Sequence, residues 1–291
     1  MKTLEGGGMR EVPGRTVPVT GRSVYVEESG QGPDWVVLEA GMSCGRTCWD
    51  PVVPLLADRA RVVAYDRAGR ALTGSATRQC SIDDMAADLV AMVEAVVPGK
   101  LVLVAHSMGG LIVRRAAESL EHRLQGLVLI DPTPVTAPMY DTWDRTAKQI
   151  DQNLAVAQLL TRVRPLARLA SRNIRGLFSK DTYETMLRED FTPAGVAQTS
   201  NENRAVLAAI RQYRDQPPRP PKCPTVLLAA TRPPASTPRG RRLAEGREHQ
   251  RRYVENLPDG RYEDVDSAHF IQAEQPHLVA DTIRRLLDRN S

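Results

Sequence analysis

The 291-residue chain is poor in cysteine, and its four, Cys44, Cys48, Cys80 and Cys223, are scattered. That is too few for a disulfide framework, and the Cys44/Cys48 pair has no second His/Cys cluster to complete a zinc site, so buried, idle thiols are expected. Long apolar runs are missing as well. No window approaches the ~18 uninterrupted apolar residues of a membrane span, and the opening MKTLEGGGMREVPGR carries one early lysine with no apolar segment behind it. Neither a membrane span nor a secretory leader is predicted, and a cytoplasmic protein is expected. Lysine is scarce too: Lys2, Lys100, Lys148, Lys180 and Lys222 are the only ones among 39 basic residues, so the formal charge of +4 rests on arginine. The densest basic stretch, PRGRRLAEGREHQRR at 238–252, is interleaved with Glu245 and Glu248 and holds no stacking aromatic. It reads as a solvated helix face and not as a nucleic-acid surface.

What the chain has is a composition able to bury a sizeable core, 42% hydrophobic against 25% charged, at a length that suits one large domain or a domain with an insertion. Short β-branched runs alternate with helical patterns, the signal of βαβ units around a mostly parallel sheet. Near-continuous apolar runs at 35–39, 61–65, 101–105, 126–130 and 225–230 predict strands covered on both faces. Before them, RTVPV and SVYVEE have the alternation of antiparallel edge strands, and the polar RYEDV at 261–265 suits the other edge, about eight strands in all. Ser81, with Asp84 three residues on, predicts a capped helix whose Met85, Leu89, Met92, Val93 and Val96 share one face. Pro276 opens a closing helix with an apolar stripe of Leu278, Val279, Ile283, Leu286 and Leu287. From 136 to 221 no strand pattern appears, and the spacing predicts a helical insertion that the proline-rich RDQPPRPPKCP returns to the sheet. The expected layout is a core of residues 1–135 and 222–291 with an insertion at 136–221.

One stretch of this pattern carries chemistry. In LVLVAHSMGG, at 101–110, an apolar strand runs straight into Ser107 and then into a helical run. That is the layout of a nucleophile elbow, A-x-S-x-G here, where a sharp strand-to-helix turn exposes a strained serine and demands small residues two before and two after it. The Met108 amide would head the next helix, where orphan amides and the helix dipole favour a developing anion, and LEAGMSCGRTCW offers Gly41 and Met42 for a second donor, of which Met42 is the candidate. A serine hydroxyl needs a base. Of five histidines, His106 should point away from the serine, His122 ends a helix, and His249 and His277 lie on helix surfaces. His269 remains, in a loop after a strand. An acid must orient it. No Asp or Glu stands between Ala230 and Glu245, whereas Asp131 ends the strand GLVLI, so Asp131 is the candidate, with Asp264 and Asp266 in reserve.

With Ser107, Asp131 and His269 in that chain order, the sequence resembles the α/β-hydrolase superfamily from about 16 to 287. EAGMSCGRTCWDPVVPLLA, AYDRAG and SAHFIQAEQPHLVADTI extend the likeness. The resemblance implies an α/β fold, an eight-stranded sheet with a helical cap over the serine, and no cofactor. An acid 24 positions after the nucleophile, as 131 minus 107 gives, is similar to the arrangement in haloalkane dehalogenases and in lactone hydrolases that open zearalenone; the serine excludes the aspartate-nucleophile chemistry of dehalogenases and epoxide hydrolases. Two departures stand out. Glu39-Ala40-Gly41 replaces the usual His-Gly, and DRAGRALTGS lacks the second small residue of the usual D-R-x-G-x-G-x-S pattern, with Arg70 expected to reach into water rather than toward the pocket. Asp66 and Arg67 read as loop-fixing residues. Met139, Tyr140, Trp143, Leu159, Leu160, Phe178, Met186 and Phe191 of the insertion are candidates to line an apolar pocket. The expected activity is hydrolysis of a carboxylic ester or lactone of an apolar small molecule. Cleavage of C–C or amide bonds, perhydrolysis, or a low-turnover receptor are the rivals that the same residues leave open.

Overall fold

The computed structural model describes residues 14–74, 80–141, 143–233 and 240–289, those at 143–148 and 240–242 by their backbone alone. In chain order the strands are β1 (Arg15–Val19), β2 (Arg22–Ser29), β3 (Asp34–Glu39), β4 (Ala60–Asp66), β5 (Leu101–His106), β6 (Leu124–Ile130), β7 (Thr225–Ala230) and β8 (Gly260–Val265). The helices are α1 (Val53–Leu56), α2 (Ile82–Val96), α3 (Gly109–Leu120), α4 (Trp143–Leu160), α5 (Arg164–Ala170), α6 (Lys180–Glu189), α7 (Pro193–Asp215), α8 (Gly240–Glu255), α9 (Ile271–Glu274) and α10 (Pro276–Asp288). They build one eight-stranded sheet of order β1-β2-β4-β3-β5-β6-β7-β8. β1 and β2 pair antiparallel, as does β2 with β4, and every later pairing is parallel. The strand expectations hold, including both edges.

Alternation along the central strands feeds two cores. Val37, Leu103, Ala105, Leu127, Leu129 and Leu227 face α2, α3 and α8, while Val36, Leu38, Val102, Val104, Val128 and Leu228 face α1 and α10. That is why these strands read as unbroken apolar runs: both faces are covered. Ser81 and Asp84 form the expected capping box, the serine hydroxyl accepting from the Asp84 amide at 3.0 Å and the Asp84 carboxylate from the Ser81 amide at 2.9 Å. Such a cap stabilises a helix by about 0.5–2 kcal/mol. Met85, Leu89, Met92 and Val93 of that helix are buried against the sheet. Between β6 and β7 the described residues contain helices α4 to α7 and no strand, as the pattern predicts. Cys44, Cys48 and Cys80 are buried, and all four cysteines are free thiols.

Candidate active site

The parallel strands end together, and the turns that follow them build the site. At the end of β5 the chain reverses sharply: Ser107 adopts φ +53°, and its amide donates to the Ile130 carbonyl at 2.9 Å. A side chain at position 109 could not fit, because a Cβ there would lie 2.8 Å from the Ala40 carbonyl and 2.9 Å from that of Glu39. The glycine of A-x-S-x-G is thus required by the close approach of the elbow to the end of β3. At the end of β6, Asp131 takes φ +40° with its amide bonded to the Leu228 carbonyl at 2.7 Å. His269 stands on the loop between β8 and α9.

These three residues meet. His269 Nε2 lies 3.0 Å from Ser107 Oγ, and its Nδ1 lies 2.6 Å from Asp131 Oδ2. A proton on Nδ1 satisfies the carboxylate and leaves Nε2 to accept from the serine hydroxyl. Asp131 is almost fully buried, which works to raise its carboxyl, yet the bond and charge of His269 and a bond from Gln250 together hold it below the usual carboxylate range. Gln250 Nε2 donates to Asp131 Oδ1 at 3.0 Å and to the Pro132 carbonyl at 2.7 Å, fixing the acid from α8. Nothing in the arginine-rich sequence around Gln250 marks it out; only the packing of α8 beside β7 reveals it. The reserve acids turn outward, Asp264 to Arg251 and Asp266 to Arg232.

His106 faces away from the serine, and it is far from idle. Its ring is fully buried 4.6 Å from that of His269, with Nε2 donating to the His269 carbonyl at 2.9 Å. Burial, then the charge of His269, push its imidazole down to about 3, so it stays neutral and serves as a clamp on the loop that carries His269.

The loop at 40–45 passes beside the serine: a Cβ on Gly41 would come within 3.3 Å of the Ser107 Cβ and 2.6 Å of His106 Nδ1. Arg67 donates to the carbonyls of Ala40 and Gly41 at 2.7 and 2.8 Å and to Glu39 at 2.6 Å, so it does fix this loop. Asp66 accepts from the Arg46 amide and guanidinium, both at 2.8 Å. Arg70 corrects the sequence expectation. It does not reach water but is fully buried, its guanidinium on Glu202 at 2.6 Å and on the Gly195 carbonyl at 2.9 Å. The reason is a carboxylate the sequence reading missed. Glu202, on α7, also accepts from Arg67 at 2.9 Å and from the amide of Ser43 at 2.9 Å. Burial works to raise the Glu202 carboxyl, but the charges of Arg70 and Arg67 hold it below its ordinary value.

Met42 is half-buried in this loop, and Met108 is buried at the head of α3. Of the pocket candidates, Phe178 is buried edge-on to Phe270 at 5.9 Å, and Phe270 lies 5.8 Å from His269. Tyr140 is half-buried, its phenol raised by burial and by the nearby Asp131. Met139 and Leu160 are half-buried, and Phe191 packs against the core. Met186 sits at 1% exposure within the packed core, and Leu159 is 61% exposed. The side chain of Trp143 lies outside the described residues. No group of three metal-ligating side chains is found among the described residues.

Residues 36–282 match the family model described as alpha/beta hydrolase family. The chain belongs to this family. Over 137 residues it is 31% identical to the pimeloyl-acyl-carrier-protein methyl ester esterase of Nitrosomonas europaea, a match covering 46% of this chain and 52% of that protein. The chain thus spans about half the length of this curated relative. Among solved structures it is similar to the epoxide hydrolase VrEH1 of Vigna radiata, with a TM-score of 0.77 at 16% identity over 98% of this chain and 100% of that one. The enol-lactonase of Burkholderia xenovorans LB400 is another neighbour, with a TM-score of 0.68 at 19% identity over 94% of this chain and 100% of its own. At such identities the likeness is one of fold.

Proposed function

We propose that this alpha/beta hydrolase cleaves a carboxylic ester or lactone of a mainly apolar small molecule through an acyl-enzyme. One observation carries the reading: the unbroken hydrogen-bonded line Ser107–His269–Asp131, at 3.0 and 2.6 Å. Ser107 Oγ attacks the carbonyl carbon as its proton passes to His269 Nε2. Asp131, charged in the fold, stabilises the resulting imidazolium and keeps its ring aligned. The amides of Met42 and Met108 receive the oxyanion, each such donor being worth about 2.7–4 kcal/mol in the transition state. Collapse of the tetrahedral adduct expels the alkoxide, which takes the proton from His269. Water, deprotonated by the same imidazole, then releases the acid and regenerates the serine.

In this reading residues 136–221 form a helical cap over the serine, and Phe178 packs edge-on against Phe270 beside His269. The methyl ester esterase of Nitrosomonas europaea among its relatives agrees with this reading. The test is a panel of p-nitrophenyl esters of increasing chain length and simple lactones, alongside a fluorophosphonate probe. Wild-type protein should turn over several esters and label at Ser107, and Ser107→Ala should do neither while melting at nearly the same temperature. Ester hydrolysis retained in that variant would refute the nucleophile.

A further inference from the structure

Six large apolar side chains stand exposed among the described residues, and five of them fall in one stretch. Val156 and Leu159 lie on the last turns of α4, Val163 at the joint, and Leu166 and Leu169 on α5, at 37 to 61% exposure. The stretch also has an inward row, Thr161, Ala167, Ser171, Ile174 and Phe178, all buried. The leucines therefore occupy the outer side of a segment already packed on its inner side. Their exposure is not explained by the chain's own core.

Charge on the same stretch is one-sided. Between Asp151 and Asp181 no acidic residue occurs, while Arg162, Arg164, Arg168, Arg172, Arg175 and Lys180 do, and all six are exposed. Among the described residues only Arg168 of these has a carboxylate partner, Glu184 at 2.9 Å. An apolar row set among cations calls for a cover that is both apolar and anionic. Hot spots of protein interfaces are enriched in Trp, Tyr and Arg; this stretch has the arginines, but its single aromatic residue over 152–180 is the buried Phe178, so it offers no aromatic anchor. Aliphatic side chains flanked by arginine are the composition of a helix lying in the headgroup layer of a membrane.

We propose that residues 156–175 are a docking face for an anionic lipid surface, the valines and leucines entering the acyl boundary and the arginines meeting headgroup phosphates. Docking needs no turnover, so Ser107→Ala protein serves as the background. Co-sedimentation with vesicles of phosphatidylcholine alone, or with about one third phosphatidylglycerol, measures it. Affinity for the anionic vesicles should exceed that for the neutral ones by roughly tenfold or more and fall with added salt. Leu166→Gln with Leu169→Gln, and separately Arg162→Gln with Arg164→Gln, should each remove most of that gain at an unchanged melting temperature, since all four positions are exposed. Equal, weak binding to both vesicle types overturns the proposal. So does a concentration-dependent dimer that the leucine pair of substitutions dissolves, which would make a second copy of the chain the cover.

Discussion

Glu202→Gln is the perturbation that most directly tests how the loop beside the serine is held. In the wild-type fold the carboxylate takes four donors, Arg70 Nη2 at 2.6 Å, Arg70 Nε at 3.3 Å, Arg67 at 2.9 Å and the Ser43 amide at 2.9 Å, with no exposure to solvent. An amide keeps the shape but loses the charge and presents two donors to two guanidinium groups. Arg67 retains Glu39. Arg70 keeps only neutral acceptors, the Gly195 carbonyl and Thr199 Oγ1. Removing one member of a buried ion pair costs about 3–5 kcal/mol, which in a domain of this size lowers Tm by roughly 6–20 °C. The catalytic consequence is separable. Ser43, at φ +69°, is held by Glu202 next to Met42. If that bond sets the Met42 amide, its loss should cost up to the 10²–10³-fold in kcat that one oxyanion donor supplies. We expect kcat for a p-nitrophenyl ester to fall at least tenfold at a temperature where the variant is fully folded. KM should change little, and affinity for a boronic acid that forms a tetrahedral adduct on Ser107 should fall in parallel with kcat. Wild-type kcat and boronate affinity in a folded but less stable variant would refute the reasoning, leaving Glu202 a purely structural anchor.

The remaining predictions follow from charges already located. Asp131→Asn should keep the fold and reduce kcat by roughly 10⁴, because the amide no longer stabilises the imidazolium or fixes its tautomer; an ester assay at wild-type rate would move the acid elsewhere. Asp190 is buried, neither of its oxygens meets a donor in good geometry, and burial pushes its carboxyl up to about 7. A raised carboxyl means the fold binds more protons than the unfolded chain between its ordinary 3.8 and about 7, so stability falls as pH rises through that window. Asp190→Asn should therefore raise the melting temperature at pH 8, by a free energy of up to about 4 kcal/mol. Near pH 4 it should give little or no gain, and an equal shift at both pH values would show that Asp190 is not buried as a neutral acid.

The parts of this molecule that periodicity governs were legible in its sequence. Strand and helix repeats are local, so the eight strands, the Ser81 capping box and the strandless stretch between β6 and β7 could be read without knowing what they pack on. The grouping of Ser107, Asp131 and His269 was legible for a related reason: parallel strands end on one edge of the sheet, so residues just past β5, β6 and β8 are brought together by topology alone. Glu202 was not. It lies 95 positions after Ser107, as 202 minus 107 gives, on a helix whose approach to the sheet no local pattern encodes. Missing it also put Arg70 in water, since an arginine without a known partner is best placed there. Gln250 escaped in the same way, as a neutral side chain in a helix whose arginines dominate its pattern.

Backbone strain ties these observations together. Four non-glycine residues have positive φ among the described residues, Ser43, Ala71, Ser107 and Asp131, and three of the four line the proposed site. Each such conformation costs on the order of 1–3 kcal/mol and persists only where its surroundings over-determine it. At all three positions the restraint is visible as a bond from the strained residue's own amide: Ser43 to the Glu202 carboxylate at 2.9 Å, Ser107 to the Ile130 carbonyl at 2.9 Å, and Asp131 to the Leu228 carbonyl at 2.7 Å. Two of these acceptors belong to the neighbouring strand of the sheet and cannot move without unpairing it. The third is a side chain on α7, outside the sheet altogether. Ser107 and Asp131 are therefore held by paired strands of the sheet, whereas the loop beside them depends on how α7 is seated, and a displacement of that helix would loosen Met42 before it disturbed Ser107 or Asp131.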